Sequence, residues 1–418
     1  MNTASPGQAI IAATGVNPAR RLGWIDNLRT SLILLVVGLH ATITYSHVGG
    51  WYINLPPEPP IETKIIFFLG EMHLQAFFMG LLFFVAGYFA AKSLQRRGTG
   101  AFLRERALRL GVPLFLYVTV IHPFIVYVIN PWNAKFPALG QSYVEYFHSG
   151  QFVRSTGPLW FVEALLIFSI VLALASRLAK PLNPTIAKHT PQLKTVHLLA
   201  LAVVLAATSF AVRTVQPIGK NIQNLQLCFF PQYIAAFGLG VWLARRGGTL
   251  DELAQSSVAK RAGWLALVGG PIVLGVILFC MRSSIVPGVE PPILGGWNGF
   301  AVAYATWEQF SGVGLALGSL ALVRRFWPNQ TAWSDWLSAR SFGVYVLHAP
   351  VIIALAVLFK GYSANPFVNA IILSITGISG SYLVADLARC PLVARRDLGS
   401  LWLRPRPSSP MAPSTGND

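Results

Sequence analysis

The sequence predicts an all-α fold: a polytopic membrane bundle of about ten transmembrane helices, both termini cytoplasmic. Three observations carry this. The 418 residues are 54% hydrophobic and only 11% charged, whereas a soluble domain carries roughly 25% charged residues. The apolar residues fall in blocks close to the ~20 residues that cross a ~30 Å hydrocarbon core. Lys and Arg alternate loop by loop. With the N-terminus in the cytoplasm, 25 of the 32 lie on that side and 7 on the other, as the positive-inside rule requires.

The net charge of +17 therefore reads as a topology signal with affinity for anionic lipid heads. No nucleic-acid partner is expected, because the basic stripe interleaved with aromatics is missing. Cys228, Cys280 and Cys390 form no CxxC pair, so neither a disulfide framework nor a metal site is expected. No cleavable signal peptide is expected either.

Span 1, 30–46, is a short apolar block, but its pattern extends both ways and predicts a helix from near Trp24. It reads WIDNLRTSLILLVVGLHATITYSH. Arg29 and His40 are eleven positions apart, about 20° beyond three full turns with a rise of roughly 16 Å. The two side chains share a face, Arg29 near the cytoplasmic boundary and His40 at mid-membrane or beyond. Asp26 precedes Arg29 by one turn and can pair with it. An imidazole at that depth suits a general base. An interhelical hydrogen bond would account for it equally well.

Span 2, 65–91, starts outside and carries Glu71, His73 and Gln75 in its first turns. Span 3, 107–130, follows FLRERALRLGVP, which sets Arg106 and Arg109 one turn apart before Pro113. Arginine forks suit phosphate, and the same residues serve as a positive-inside anchor. The outward loop 131–156 holds Pro131, Trp132 and Tyr143, suited to the membrane interface or to a sugar ring. Span 4, 157–178, opens on Leu159-Trp160-Phe161 and then Glu163. Spans 5, 6 and 7 (195–212, 226–244 and 261–282) are plain apolar blocks. Span 8, 299–323, carries Glu308 and Gln309 in its outer half. Span 9, 341–359, follows Arg340 and holds Tyr345 and His348. Span 10 covers 366–388. A carboxylate beside His40 would orient its ring and stabilise the cation.

The organisation expected is a disordered tail at 1–19, a transmembrane domain at 20–390 and a Pro/Ser-rich cytoplasmic tail at 391–418. No internal repeat period is visible. The loops leave no room for a soluble catalytic domain, so the chemistry is expected inside the bundle.

In order, these segments resemble the acyltransferase 3 family of integral membrane acyltransferases, from about 22 to 390. Asp26, Arg29 and His40 match its Arg-x10-His first span. FFVAGYFA with Gly87 is similar to its second-span ending. Arg106-x-x-Arg109 with Pro113 looks like its basic third-span motif. Leu159-Trp160-Phe161 matches its fourth-span opening, and Ser341 to His348 its late-span signature. Within the family the chain looks most like the branch of glucans biosynthesis protein C. The resemblance implies an O-acyltransferase of the inner (plasma) membrane with no bound cofactor and acyl-CoA as donor. The acyl group, acetyl or succinyl, would pass to a carbohydrate hydroxyl outside. It implies His40 as catalytic base, with Glu71, His73 and Glu163 as the further catalytic candidates. Asp26, Arg29, Arg106, Arg109, Tyr345 and His348 would hold acyl-CoA. Direct transfer and an acyl-enzyme route both stay open. The competing reading is a proton-coupled transporter or flippase, which also uses buried His and Glu.

Overall fold

Hydrocarbon offers the backbone no hydrogen-bond partner, so a chain this apolar must satisfy its peptide groups within helices. The computed structural model describes residues 22–131, 143–178, 193–284, 289–362 and 364–388, and no strand occurs among them. The tails expected at 1–19 and 391–418, together with Trp132 and Cys390, lie outside the described residues.

Among the described residues, ten long helices follow one another. They are α1 Gly23–Ser46, α2 Ile61–Arg97, α3 Thr99–Ile129, α4 Trp160–Leu178 and α5 Thr195–Arg213. Then come α6 Phe230–Arg245, α7 Ser257–Met281, α8 Gly299–Phe326, α9 Ala332–Leu358 and α10 Pro366–Leu387. Among the described residues, 9 candidate spans are long and apolar enough to cross a membrane. The span expected at 299–323 is not among them. It is a helix of 28 residues, about 42 Å long at 1.5 Å per residue, but polar side chains dilute it. Its place in the bundle explains why lipid never meets them: α8 packs on α7, α5 and α2 and touches α1, and Tyr304, Glu308 and Gln309 are buried.

The bundle has a protein-enclosed centre and a lipid-facing rim. The apolar window of α2 is 72% buried within the protein and that of α7 only 22%. Trp264, Leu265, Val268, Ile272 and Phe279 of α7 point outward. On a soluble protein such a patch would mark an association site. Here it meets hydrocarbon.

Small residues bring the central helices together, as membrane packing favours. A Cβ on Gly87 of α2 would run into the Phe237 carbonyl oxygen of α6, and one on Gly240 of α6 would run into the Phe84 carbonyl. Gly263 of α7 and Gly318 of α8 face each other in the same way.

Helix α3 is widened by π turns at Ala107–Gly111, Tyr117–Ile121 and Phe124–Ile129. Pro123 has no N–H to give the Thr119 carbonyl four residues back. The Tyr143 hydroxyl donates to that carbonyl instead, and Tyr146 donates to Val118 O at 2.9 Å. The short helix Tyr143–His148 is thereby pinned across α3.

Helix α9 starts nine residues before the expected 341. Ser334 N donates to Thr331 Oγ1 at 3.2 Å, and Thr331 N donates to Ser334 Oγ at 2.8 Å, closing a capping box. These polar turns carry no hydropathy signal.

One end of the bundle gathers the start of α1, the end of α2, the start of α3, the end of α8, the start of α9 and the end of α10. Asn27 donates to the Trp327 and Asn329 carbonyls at 3.0 Å each. Arg324 pairs with Asp251 and Arg340 with Asp386. This is the basic end, and the first and last helices both meet it.

Candidate active site

Helix α1 ends at His47, a non-glycine residue at φ 58°, where the chain reverses. Leu55 N donates to Thr44 O at 2.9 Å, and His47 Nε2 donates to Leu55 O at 2.9 Å. The following loop is thus folded back along α1, and Trp51 lands on His40. Their rings stack at 4.0 Å with 10° between planes.

His40 Nδ1 lies 2.9 Å from His348 Nε2, and His348 Nδ1 lies 2.7 Å from the Tyr345 carbonyl oxygen. A carbonyl only accepts, so the hydrogen-bond network assigns a proton to His348 Nδ1. In neutral His348, Nε2 is then an acceptor and His40 Nδ1–H must donate to it. His40 Nε2 is left holding a lone pair. His348 is fully buried and His40 half-buried. The pair joins two residues 308 positions apart.

Around this pair the aromatic residues continue. Tyr52 packs edge-on to Trp51 at 5.3 Å. Its hydroxyl contacts Tyr117 Oη at 3.1 Å and His122 Nδ1 at 2.8 Å, both on α3. Gly157, at φ +49°, lets the turn before α4 approach: a Cβ there would strike the Tyr52 and Tyr117 hydroxyls. The Tyr345 hydroxyl donates to the Pro158 carbonyl, and Asn224 Nδ2 donates to Gly157 O at 2.8 Å. The Leu159-Trp160-Phe161 segment is therefore held from three sides.

The other expected site residues lie apart from His40. Glu71 is buried beside the Ser46 hydroxyl. His73 Nδ1 donates to Leu69 O at 2.6 Å, and its ring meets Trp307 edge-on at 4.9 Å. Glu163 sits on α4 near Thr156. None of the three hydrogen-bonds His40. Its side-chain partner is an imidazole rather than a carboxylate.

The basic end holds the arginines. Asp26 Oδ1 is 3.9 Å from Arg29 Nη1. Glu105 bridges two guanidiniums, Arg97 Nη1 at 2.7 Å and Arg109 Nη1 at 2.8 Å. Arg106 lies over the Phe102 ring at 5.0 Å, and its Nε has no hydrogen-bond partner among the described residues. Arg29, Arg97, Arg106 and Arg109 are close enough to repel one another. Four guanidiniums against Asp26 and Glu105 leave an excess of positive charge with forked donors, which suits a phosphorylated anion. Among the described residues, no group of three His, Cys, Asp or Glu is placed to hold a metal.

Sequence reasoning did not single out Trp51, Tyr52, His122 or Arg97. A Trp-Tyr pair just after span 1 and a lone histidine inside span 3 were the signals present.

Fold and site together define a polytopic membrane protein with a polar centre inside the bundle and a cluster of arginines at one end. The chain belongs to the acyltransferase 3 family: the family's acyltransferase domain matches residues 22–386, from the start of α1 to the end of α10. It is a membrane acyltransferase. No curated protein and no solved structure matches the chain.

Proposed function

We propose that the protein moves an acetyl or succinyl group from cytoplasmic acyl-CoA to a hydroxyl of a glycan outside the inner membrane. The observation that carries this reading is the tautomer chain Tyr345 O, His348, His40. It leaves a lone pair on His40 Nε2, on the same helix whose first turns bring Arg29 to the arginine cluster.

Acyl-CoA enters at the basic end, its phosphates on Arg29, Arg106 and Arg109, with Arg97 beside them. The roughly 16 Å rise from Arg29 to His40 gives the pantetheine arm its length of travel. The acceptor hydroxyl approaches from the opposite side. Its oxygen bonds to the thioester carbonyl carbon as its proton passes to His40 Nε2. The C–S bond then breaks, and the leaving sulfur takes the proton from His40. An ester and free CoA thiol result, and His40 is neutral again. The hydrogen bond to His348 strengthens while His40 is cationic. His348, expected among the acyl-CoA ligands, takes an orienting role in this mechanism. The Tyr345 hydroxyl fixes the turn before α4. The branch resemblance favours a glucan as the acceptor.

The test is purified protein in nanodiscs with labelled acetyl-CoA or succinyl-CoA and gluco-oligosaccharides. Ester-linked label on the glycan is the expected result. Label that never leaves CoA, with unmodified glycan crossing the bilayer, would overturn the reading in favour of transport. Mass spectrometry of envelope glycans with and without the protein identifies the acyl group.

A further inference from the structure

Helices α5 and α7 both pack on α8 but hardly touch each other, and the gap between them is a groove of about 750 Å³. Helix α8 forms its floor. Trp307 Nε1 donates to the Gly270 carbonyl at 2.7 Å, and a Cβ on Gly314 would run into that of Ala266, so α8 lies tight against α7. The groove follows α7 turn by turn from Val258 to Ile277, about 28 Å at 1.5 Å per residue. Gly269 sits on its wall, and a Cβ there would meet no atom within 4 Å. The space is open at that point.

The lining is apolar with a single charge. Arg261 carries it, exposed on the second turn of α7, and no carboxylate lines the groove. Asp251, just before α7, pairs with Arg324 of α8, so Arg261 marks the basic end of the bundle. Thr195, where α5 begins, lines the same mouth, and the start of a helix favours negative charge. Lys194 and Lys260, the chain neighbours of Thr195 and Arg261, are exposed. A cationic mouth at the membrane surface leading into an apolar channel is complementary to an amphiphile with a negative head and a hydrocarbon tail.

The width narrows the occupant. Spread over its length, the volume leaves a mean cross-section of about 27 Å². That admits an acyl chain and is too narrow for a helix, roughly 10–12 Å across with its side chains. The groove lies at the lipid-facing rim, where Leu265 of its wall points outward, so a lipid can enter it sideways from the bilayer.

We propose that this groove binds an anionic glycerophospholipid from the leaflet at the basic end, with one acyl chain along Gly269 and the phosphate on the Arg261 guanidinium. The site is independent of the acyl transfer proposed above.

The test is native mass spectrometry of the full-length protein, delipidated in detergent and titrated with phosphatidylglycerol or with phosphatidylcholine carrying the same chains. Wild type is expected to bind the first phosphatidylglycerol about fivefold or more tightly than phosphatidylcholine, the effect of one basic residue at an anionic headgroup. Arg261→Gln should remove most of that preference and leave phosphatidylcholine binding close to wild type. Gly269→Phe, which fills the groove from its wall, should raise the Kd of both lipids about tenfold or more. Gly275→Phe is the control. It enters open space on the same helix outside the groove lining and should leave both Kd values unchanged. Equal affinity for the two lipids in wild type would overturn the proposal, as would an unchanged preference in Arg261→Gln or unchanged affinities in Gly269→Phe. A lipid-free dimer that Gly269→Phe converts to monomer would also overturn it, in favour of a second copy seated in the groove. Should Gly269→Phe fail to fold, Arg261→Gln and the comparison of the two lipids decide alone.

Discussion

The two ends of the α1 face handle charge in opposite ways. At the basic end, four guanidiniums outnumber the carboxylates of Asp26 and Glu105, and the Arg29 side chain keeps 23% of its surface open. Around His40 the hydrogen-bonding groups are His348, Tyr52, Tyr117 and His122, none of which needs a fixed charge. Full charges deep in a bilayer are expensive unless paired or wetted. In the proposed mechanism they are kept where the donor's phosphates arrive from water, and the deeper site, built from neutral groups, takes on charge only while a proton is in transit. Donor binding and proton transfer should therefore be separable by mutation.

The largest effect expected is on turnover. His40→Ala should lower acyl transfer by roughly 10²- to 10⁴-fold and leave acyl-CoA affinity at the wild-type value. Turnover assays beside donor calorimetry measure both. A variant that bound donor as poorly as it turned over would erase the division between the ends.

Next is the mirror-image variant. Arg106→Ala removes a forked cation whose hydrogen bonds to phosphate are worth about 1.5–3 kcal/mol, or roughly a 10- to 100-fold rise in the acyl-CoA Kd. Turnover at saturating donor should hold. The donor affinity should also fall less steeply with added salt. Retained affinity would remove Arg106 from the donor site.

A roughly tenfold effect is expected at the residue that bridges the chemistry to α9. His348→Phe deprives His40 Nδ1–H of its acceptor and lets the ring settle in the wrong tautomer, lowering kcat. His348→Gln restores an acceptor and should recover most of it. Donor affinity should not move in either variant. If Gln rescued nothing, the hydrogen bond would not be what sets the His40 tautomer.

Much of the fold was legible, because length and apolarity are the constraints a bilayer imposes. One stretch was not. The first turns of α9 are polar, and they are helical because Thr331 and Ser334 cap them, which hydropathy does not register. At the site, the Arg29–His40 spacing was readable since both lie on one helix, and so was the Asp26–Arg29 pair. What His40 touches was not. His348 is 308 positions away, Trp51 returns only because the chain reverses at His47, and a carboxylate was the natural expectation for an orienting partner. Arg213 likewise read as one of the few basic residues on the outer side. Only the packing of α5 against α8 turns it into half of a buried pair with Glu308.

Trp51 should give the smallest effect and the finest reading of where one end stops. Its ring lies 4.0 Å from the His40 ring and nearly parallel to it, and 6.2 Å from that of His348. A flat face there limits imidazole rotation and keeps the Nδ1–H aimed at His348. Stacked aromatic pairs contribute about 0.5–1.5 kcal/mol beyond the area they bury. Trp51→Leu, which preserves apolar bulk and removes the flat face, should therefore lower kcat by about 2- to 10-fold. Trp51→Phe should stay near wild type. Neither should alter acyl-CoA affinity, since Arg29 sits roughly 16 Å further along α1 from the His40 ring. If Trp51→Leu weakened donor binding and spared kcat, the acyl group itself would rest against Trp51. The donor site would then run the whole length of α1, with the boundary between the ends at the loop that carries Trp51.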